Sequence, residues 1–192
     1  WDNIKHNVIL DWVDIAGDGD KGFAIFSDHT TSYSFGDGYP LALTAQYSGG
    51  GLWGRMYPIT GPSEISYAFF PHFGKWDSAG IEAERGIWSE PLVCALTEKP
   101  EATSVSYMDL SGTGYEISAA YMTDGGAEIR LYNASGDDTP AEITFGFPVK
   151  EVMEVDLMDN KVSDCRLEDR EGRKVMKASM PRFGFRTYRI VF

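Results

Sequence analysis

The 192-residue chain has few of the side chains from which a self-sufficient active site is built. Its three histidines, His6, His29 and His72, have no other His or Cys within metal-ligand spacing, so a zinc site would need three distant strands to converge. Its two cysteines, Cys94 and Cys165, lie far apart and read as ordinary buried or semi-buried thiols, whose pairing a sequence cannot decide. No Gly-x-Ser-x-Gly elbow, phosphate-cradling loop or dinucleotide fingerprint occurs. Basic residues are scarce: 17 Lys and Arg stand against 29 Asp and Glu, a net charge of −12 shared by both halves. A phosphate backbone demands clustered Lys and Arg, so no nucleic-acid partner is expected. The same charge is repelled by an anionic membrane surface, and no run approaches the ~20 apolar residues of a spanning helix, so no membrane partner is expected either.

Long helical patterns are also scarce. What the chain has instead is 21 glycines, 9 prolines, many aromatics and 43% hydrophobic residues, enough to build a core. That composition predicts an all-β fold. His6–Ile15 reads as a strand buried on both sides. Asp14–Gly22 reads as a turn in which Asp18-Gly19-Asp20 invites a calcium reading. No Glu closes a twelve-residue calcium loop, however, so a solvated hairpin tip is the simpler expectation. Gly22–Phe26 and Tyr39–Tyr47 read as strands. Gly49-Gly50-Gly51 opens a loop to about Pro62 that carries Trp53, Arg55 and Tyr57. An exposed Trp beside an Arg is how a sugar face and its hydroxyls are held; the alternative is that Trp53 and Tyr57 cover the rim of the sheet.

Ser63–Phe70 has strand composition, Pro71 should end that strand because it lacks an N–H, and Gly74 permits the turn toward Trp76. His72, just past the expected strand end, is expected to bond nearby backbone. Asp77–Glu90 allows a short helix or an extended arm, and Pro91–Leu96 resumes as a strand. Thr97–Ala102 is the best boundary, dividing the chain into residues 1–97 and 98–192. The second part predicts a compact β-sandwich with strands at Thr103–Leu110, Glu116–Met122, Ala127–Asn133, Ala141–Phe147, Val152–Leu157, Arg173–Ser179 and Gly184–Phe192, and a solvated tip at Glu168–Arg173. Asn133-Ala134-Ser135 fits a glycosylation acceptor, relevant only in a eukaryotic secretory host.

The string Glu64, Tyr67-Ala68, Phe69-Phe70, Pro71-His72-x-Gly74 and Trp76 resembles the C-terminal β region of α-mannosidases of glycoside hydrolase family 38. Lys21–Asp28, Tyr33, Gly38, Leu41–Thr44, Arg130–Asn133, Val155–Leu157 and Phe183–Tyr188 match in the same order. The resemblance implies part of a large antiparallel β-sandwich followed by a smaller C-terminal one. It also implies that the catalytic carboxylates and a zinc ion held by His and Asp residues belong to an N-terminal α/β-barrel domain followed by a helical bundle, neither of which has a counterpart here. The chain alone is therefore expected to be inactive and to need no cofactor. Its expected partners are those catalytic and helical domains, with a mannose-containing glycan as a further possibility. A start at Trp1 with no basic-then-apolar leader suggests a processed or cut piece, and a bacterial cytoplasm or periplasm is the expected compartment.

Relatives carry an Arg after the Leu-Thr strand that approaches the substrate. Here Tyr47 stands at that place, so Gln46 or Tyr47 would have to substitute by hydrogen bonding or stacking. Gln46, Tyr47, Trp53 and Arg55 are the candidate substrate-binding residues, with no catalytic and no metal-ligating residue nominated. Carboxylates are too many for a glycosidase pair to be singled out. A free-standing carbohydrate-binding module, using Trp53, Tyr57 or Trp76, is the rival reading.

Overall fold

The computed structural model describes residues 4–51, 54–96, 98, 104–112, 114–135 and 138–192, with only the backbone of residues 4–6. The chain is all-β and antiparallel with one short helix, and it divides into two compact units, Trp1–Pro91 and Leu92–Phe192.

Unit 1 contains β1 (Ile4–Ile9), β2 (Trp12–Ala16), β3 (Lys21–Ser27), β4 (Thr31–Gly36), β5 (Tyr39–Leu43), β6 (Gly49–Gly50), β7 (Met56–Tyr57), β8 (Tyr67–Phe73) and helix α1 (Ile81–Ser89). The strands form two three-stranded sheets, β1-β4-β5 and β2-β3-β8, and the small ladder β6-β7. The stretch expected as one strand is two. The backbone N–H of Ser27 captures Asp11 O at 2.7 Å, and the chain changes sheets at Leu10-Asp11, leaving Val8 and Leu10 exposed. A run of apolar letters carries no sign of such a switch, because each half pairs with a different distant strand.

Pro71 does not end its strand. It lies inside β8, opposite Phe23. Since the Gly74 N–H points to Asp20 O on the β3 side, alternation turns the Pro71 nitrogen to the open edge, where no ladder donor is required. Gly80 in the left-handed region (φ 72°) starts α1, and Glu82 and Glu84 in its first turn complement the positive end of the helix dipole. Expected as a strand, Pro91–Leu96 forms no ladder, and Leu92, Val93 and Leu96 are almost fully exposed; β propensity without a partner strand yields none.

The register of β2-β3-β8 sorts its side chains into two sets. Trp12, Ala24, Phe26, Ala68 and Phe70 share one face, which packs on Ile81, Ala79 and Trp88 from α1 and its approach. Val13, Ile15, Phe23, Ile25, Phe69, Pro71 and Phe73 share the other. Phe69 and Phe73 are 67% and 77% exposed, and Phe23 stacks on Phe69 at 5.7 Å. This second face is apolar across three strands and open.

Unit 2 contains β9 (Met108–Ser111), β10 (Tyr115–Thr123), β11 (Gly126–Asn133), β12 (Ala141–Phe145), β13 (Glu151–Val155), β14 (Lys161–Asp164), β15 (Leu167–Arg170), β16 (Arg173–Ala178) and β17 (Phe185–Val191). They form a five-stranded sheet, β10-β11-β17-β13-β14, and a four-stranded one, β15-β16-β12-β9. The alternating residues Ile129 and Leu131, Ile143 and Phe145, Tyr188 and Ile190, with Val152 and Met176, fill the core. β14 and β15 escape the sequence reading because β14 is exposed at every position and β15 is polar after Leu167. The expected solvated tip at Glu168–Arg173 narrows to Glu171-Gly172, both at positive φ, with the flanking residues paired. Asn133 is fully buried: its side-chain oxygen accepts from the Ser135 N–H and hydroxyl, and its amide donates to Met180 O. The folded chain therefore cannot carry a glycan there.

Candidate functional site

The loop from Thr44 to Ser66, between β5 and β8, is fastened at its base by side chains rather than by a long ladder. The Thr31 hydroxyl donates to Thr44 O, and the Ser32 and Thr44 hydroxyls meet at 2.8 Å. The Asp28 carboxylate accepts the Ser66 N–H at 2.7 Å and lies 2.6 Å from His29 Nδ1. The bond from His29 and those from Ser66 hold the Asp28 carboxyl below its ordinary range. Higher up, the Gln46 amide donates to Ser63 Oγ at 2.9 Å, and the Ile59 N–H donates to Ser48 Oγ at 3.2 Å, tying the two legs together.

Of the four sequence-nominated residues, Gln46 is thus spent on Ser63, while Tyr47 and Arg55 stand exposed on the same loop. Trp53 lies outside the described residues. The Tyr47 hydroxyl donates to Gly50 O at 2.6 Å, and its ring meets that of Tyr57 at 6.1 Å and 67°. Tyr57 was legible as a loop aromatic, but its pairing with Tyr47 has no sequence signal.

A second polar constellation is buried in the sheet. His72 Nε2 lies 2.9 Å from Asp14 Oδ1, and both side chains are buried. Gly22, between them on β3, makes this possible: a Cβ there would stand 2.1 Å from the imidazole. The expected backbone bond of His72 is replaced by this side-chain clamp from β8 across β3 to β2, formed between residues 58 positions apart. Sequence reasoning missed it, although Gly22 opposite His72 in the register is the residue that permits it.

In unit 2 the Tyr121 hydroxyl donates to Glu128 Oε2 at 2.6 Å and Arg189 Nε to Oε1 at 2.7 Å, across three neighbouring strands. Burial alone would raise the Glu128 carboxyl; the bonds from Tyr121 and Arg189 together outweigh it and hold the group below its ordinary value. The same bond to Glu128 raises the Tyr121 phenol. Cys165 packs at the edge of the core, and burial, with Glu154 nearby, pushes its thiol up, away from the thiolate needed for nucleophilic chemistry. Cys94, by contrast with its expected burial, is exposed. A cavity of about 700 Å³ lies where β9, four residues long, leaves the end of β10 uncovered. Its lining is mostly apolar, with Met108, Met122, Phe147 and Phe192, and its polar members Tyr121 and Glu128 are already bonded to each other.

Among the described residues no three His, Cys, Asp or Glu side chains converge as metal ligands. His29 and His72 each face a single Asp, so these residues do not fit a zinc site.

Comparison with curated proteins gives no match. A family model does match: residues 123–188, from the end of β10 into β17, correspond to the model described as glycosyl hydrolases family 38 C-terminal beta sandwich domain. The match falls on the strands that carry most of the closed core of unit 2, so these strands are similar to the C-terminal β-sandwich of glycoside hydrolase family 38.

Proposed function

We propose that the chain is a non-catalytic module of a family 38 α-mannosidase, which supports the catalytic domain and shapes the substrate cleft. The observation that carries this reading is the open face of β2-β3-β8. Seven apolar side chains form a sheet surface with no covering layer among the described residues, in a chain whose residues 123–188 match the family. Apolar surface of this extent belongs against another protein surface. The partner in this reading is the catalytic portion of the hydrolase with its helical bundle, which would also hold the zinc ion and the reacting carboxylates. Loop 44–66, fastened at its base as described, would then present Tyr47 and Arg55 at the cleft, where relatives use an Arg.

Hydrolysis of an aryl α-mannoside tests both halves of the reading. The chain alone should show no turnover, and adding it to the separately produced catalytic portion should restore activity through a stable complex. Phe69→Asp with Phe73→Asp should weaken that complex by at least about 100-fold, because two buried carboxylates would each lack a partner. Turnover by the chain alone, or a complex indifferent to both substitutions, would refute it.

A further inference from the structure

We propose that Tyr47 and Tyr57 form a stacking platform for one neutral pyranose ring; its identity as a mannoside rests on the reading above. Both rings are largely in solvent, 57% and 47% exposed. Exposed aromatics on a loop normally rotate freely, yet these two are fixed from several sides. The Tyr47 hydroxyl is tied to Gly50 O within its own loop. The Tyr57 ring packs against Gly51, where an added Cβ would stand 2.0 Å from a ring carbon. The strand pair beneath them, Gly49 opposite Tyr57 and Gly50 opposite Met56, is closed by the Gly51 N–H donating to Arg55 O at 2.6 Å. Two rings at 6.1 Å and 67° make a rigid corner rather than a flat patch.

The chemistry of that corner fits a sugar. A pyranose has a face of axial C–H bonds, positively polarised, that sits on the negative face of an aromatic ring, while its equatorial hydroxyls stay in water or meet polar neighbours. The same loop carries Ser48, whose hydroxyl accepts the Ile59 N–H, and the exposed Arg55. Because the Tyr47 hydroxyl is satisfied internally, its ring face is offered without an unmet polar demand. A nucleobase would also stack, but one arginine on an acidic chain gives its phosphates little to hold. An apolar peptide would need a groove wider than one ring corner. Because the rings are already immobilised, binding loses little further side-chain entropy, and with so small a contact the affinity should be millimolar.

The test is a titration of the chain with methyl α-D-mannopyranoside, followed by amide shifts of residues 47–57 in nuclear magnetic resonance spectra. Saturable shifts confined to that loop are expected. Tyr57→Ala and Tyr47→Ala should each weaken binding about tenfold, with the rest of the spectrum unchanged. Tyr47→Phe, which keeps the ring but frees it from Gly50, should weaken binding about fivefold. Gly51→Ala, which lifts Tyr57 from its seat, should weaken it too. No shift at about 100 mM sugar, shifts elsewhere on the chain, or affinity unchanged by removing either ring would overturn the platform. Complex formation with the catalytic portion is read separately. A chain that joins the complex but shows no sugar shift loses the platform alone; one that binds sugar but joins no complex loses the module reading alone.

Discussion

The two units apply the same alternation rule and reach different ends. In unit 2 each sheet turns an apolar face to the other, and Ile129, Leu131, Phe145, Met176 and Ile190 are shielded from water. In unit 1 the β2-β3-β8 sheet has one covered face, against a nine-residue helix, and among the described residues Ala24, Phe26 and Ile81 form its buried cluster. Its other face, with Phe69 and Phe73, is as apolar as an inner layer but meets no second layer among the described residues. One unit is a finished sandwich; the other has a surface suited to packing. Stability should therefore reside in unit 2 and association in unit 1. The five tryptophans all precede Pro91, so indole fluorescence reports unit 1 alone, while amide spectra resolve both.

The largest expected difference comes from removing one aromatic ring from each kind of surface. Phe145 is 1% exposed and stands edge-on to Phe147 at 5.9 Å. Phe145→Ala should lower the stability of unit 2 by about 3–5 kcal/mol, because the transfer term and the residual cavity add. The same truncation at Phe69 removes a ring already in solvent and should change unit 1 by less than about 0.5 kcal/mol. Denaturant melts of the two variants, followed by amide signals for unit 2 and fluorescence for unit 1, measure the contrast. Equal losses would mean that the open face is held by contacts within the chain.

A mid-sized effect tests what fixes the sheet of unit 1 in place of a second layer. Gly22→Ala puts a methyl where the His72 ring passes to reach Asp14. The backbone of β3 and the buried ring must separate, with an overpacking cost of about 1–3 kcal/mol. Fluorescence-detected melting should show the loss, while the amide signals of unit 2 melt as before. An unchanged unit 1 would show that the clamp contributes nothing to the sheet.

How much of this was legible in the sequence follows from the range of the forces involved. Seven of the nine strands of unit 2 could be read because their apolar residues alternate over five or more positions, or continue past a clear turn, as at Asp124-Gly125. β14 and β15 could not, since they are stabilised by ladder bonds to neighbours rather than by burial, and Lys161–Asp164 has no apolar face to read. In unit 1 the errors share one cause, pairing over long separations: the sheet change at Leu10-Asp11, Pro71 on an open edge, and the Asp14–His72 clamp. At the loop, Tyr47 and Arg55 were legible as exposed candidates, but Gln46 was not recognisable as a tie to Ser63. The corner made with Tyr57 depends on Gly51, whose absent side chain a sequence shows without showing what fills the space.

The smallest effect sharpens the comparison through acid. Both units have carboxyls held below their ordinary value: Asp28 in unit 1 is exposed at the loop base, whereas in unit 2 Glu128 is buried between Tyr121 and Arg189, with Glu142, Asp156 and Glu168 lowered nearer the surface. For a carboxyl with a depressed value in the folded state, the unfolded chain binds its proton first as pH falls. The contribution of Glu128 is thus fully present above its unfolded value near pH 4.3 and is lost progressively below it, down to the lowered folded value. Unit 2 should lose stability through that window. Glu128→Gln, which keeps the shape but not the charge, should lower stability at neutral pH and flatten the acid slope of unit 2. Asp28→Asn should leave the slope of unit 1 nearly unchanged, because water screens an exposed pair. Melts between pH 3 and pH 7 distinguish the two, and a slope of unit 2 unaltered by Glu128→Gln would place its acid sensitivity in other carboxylates.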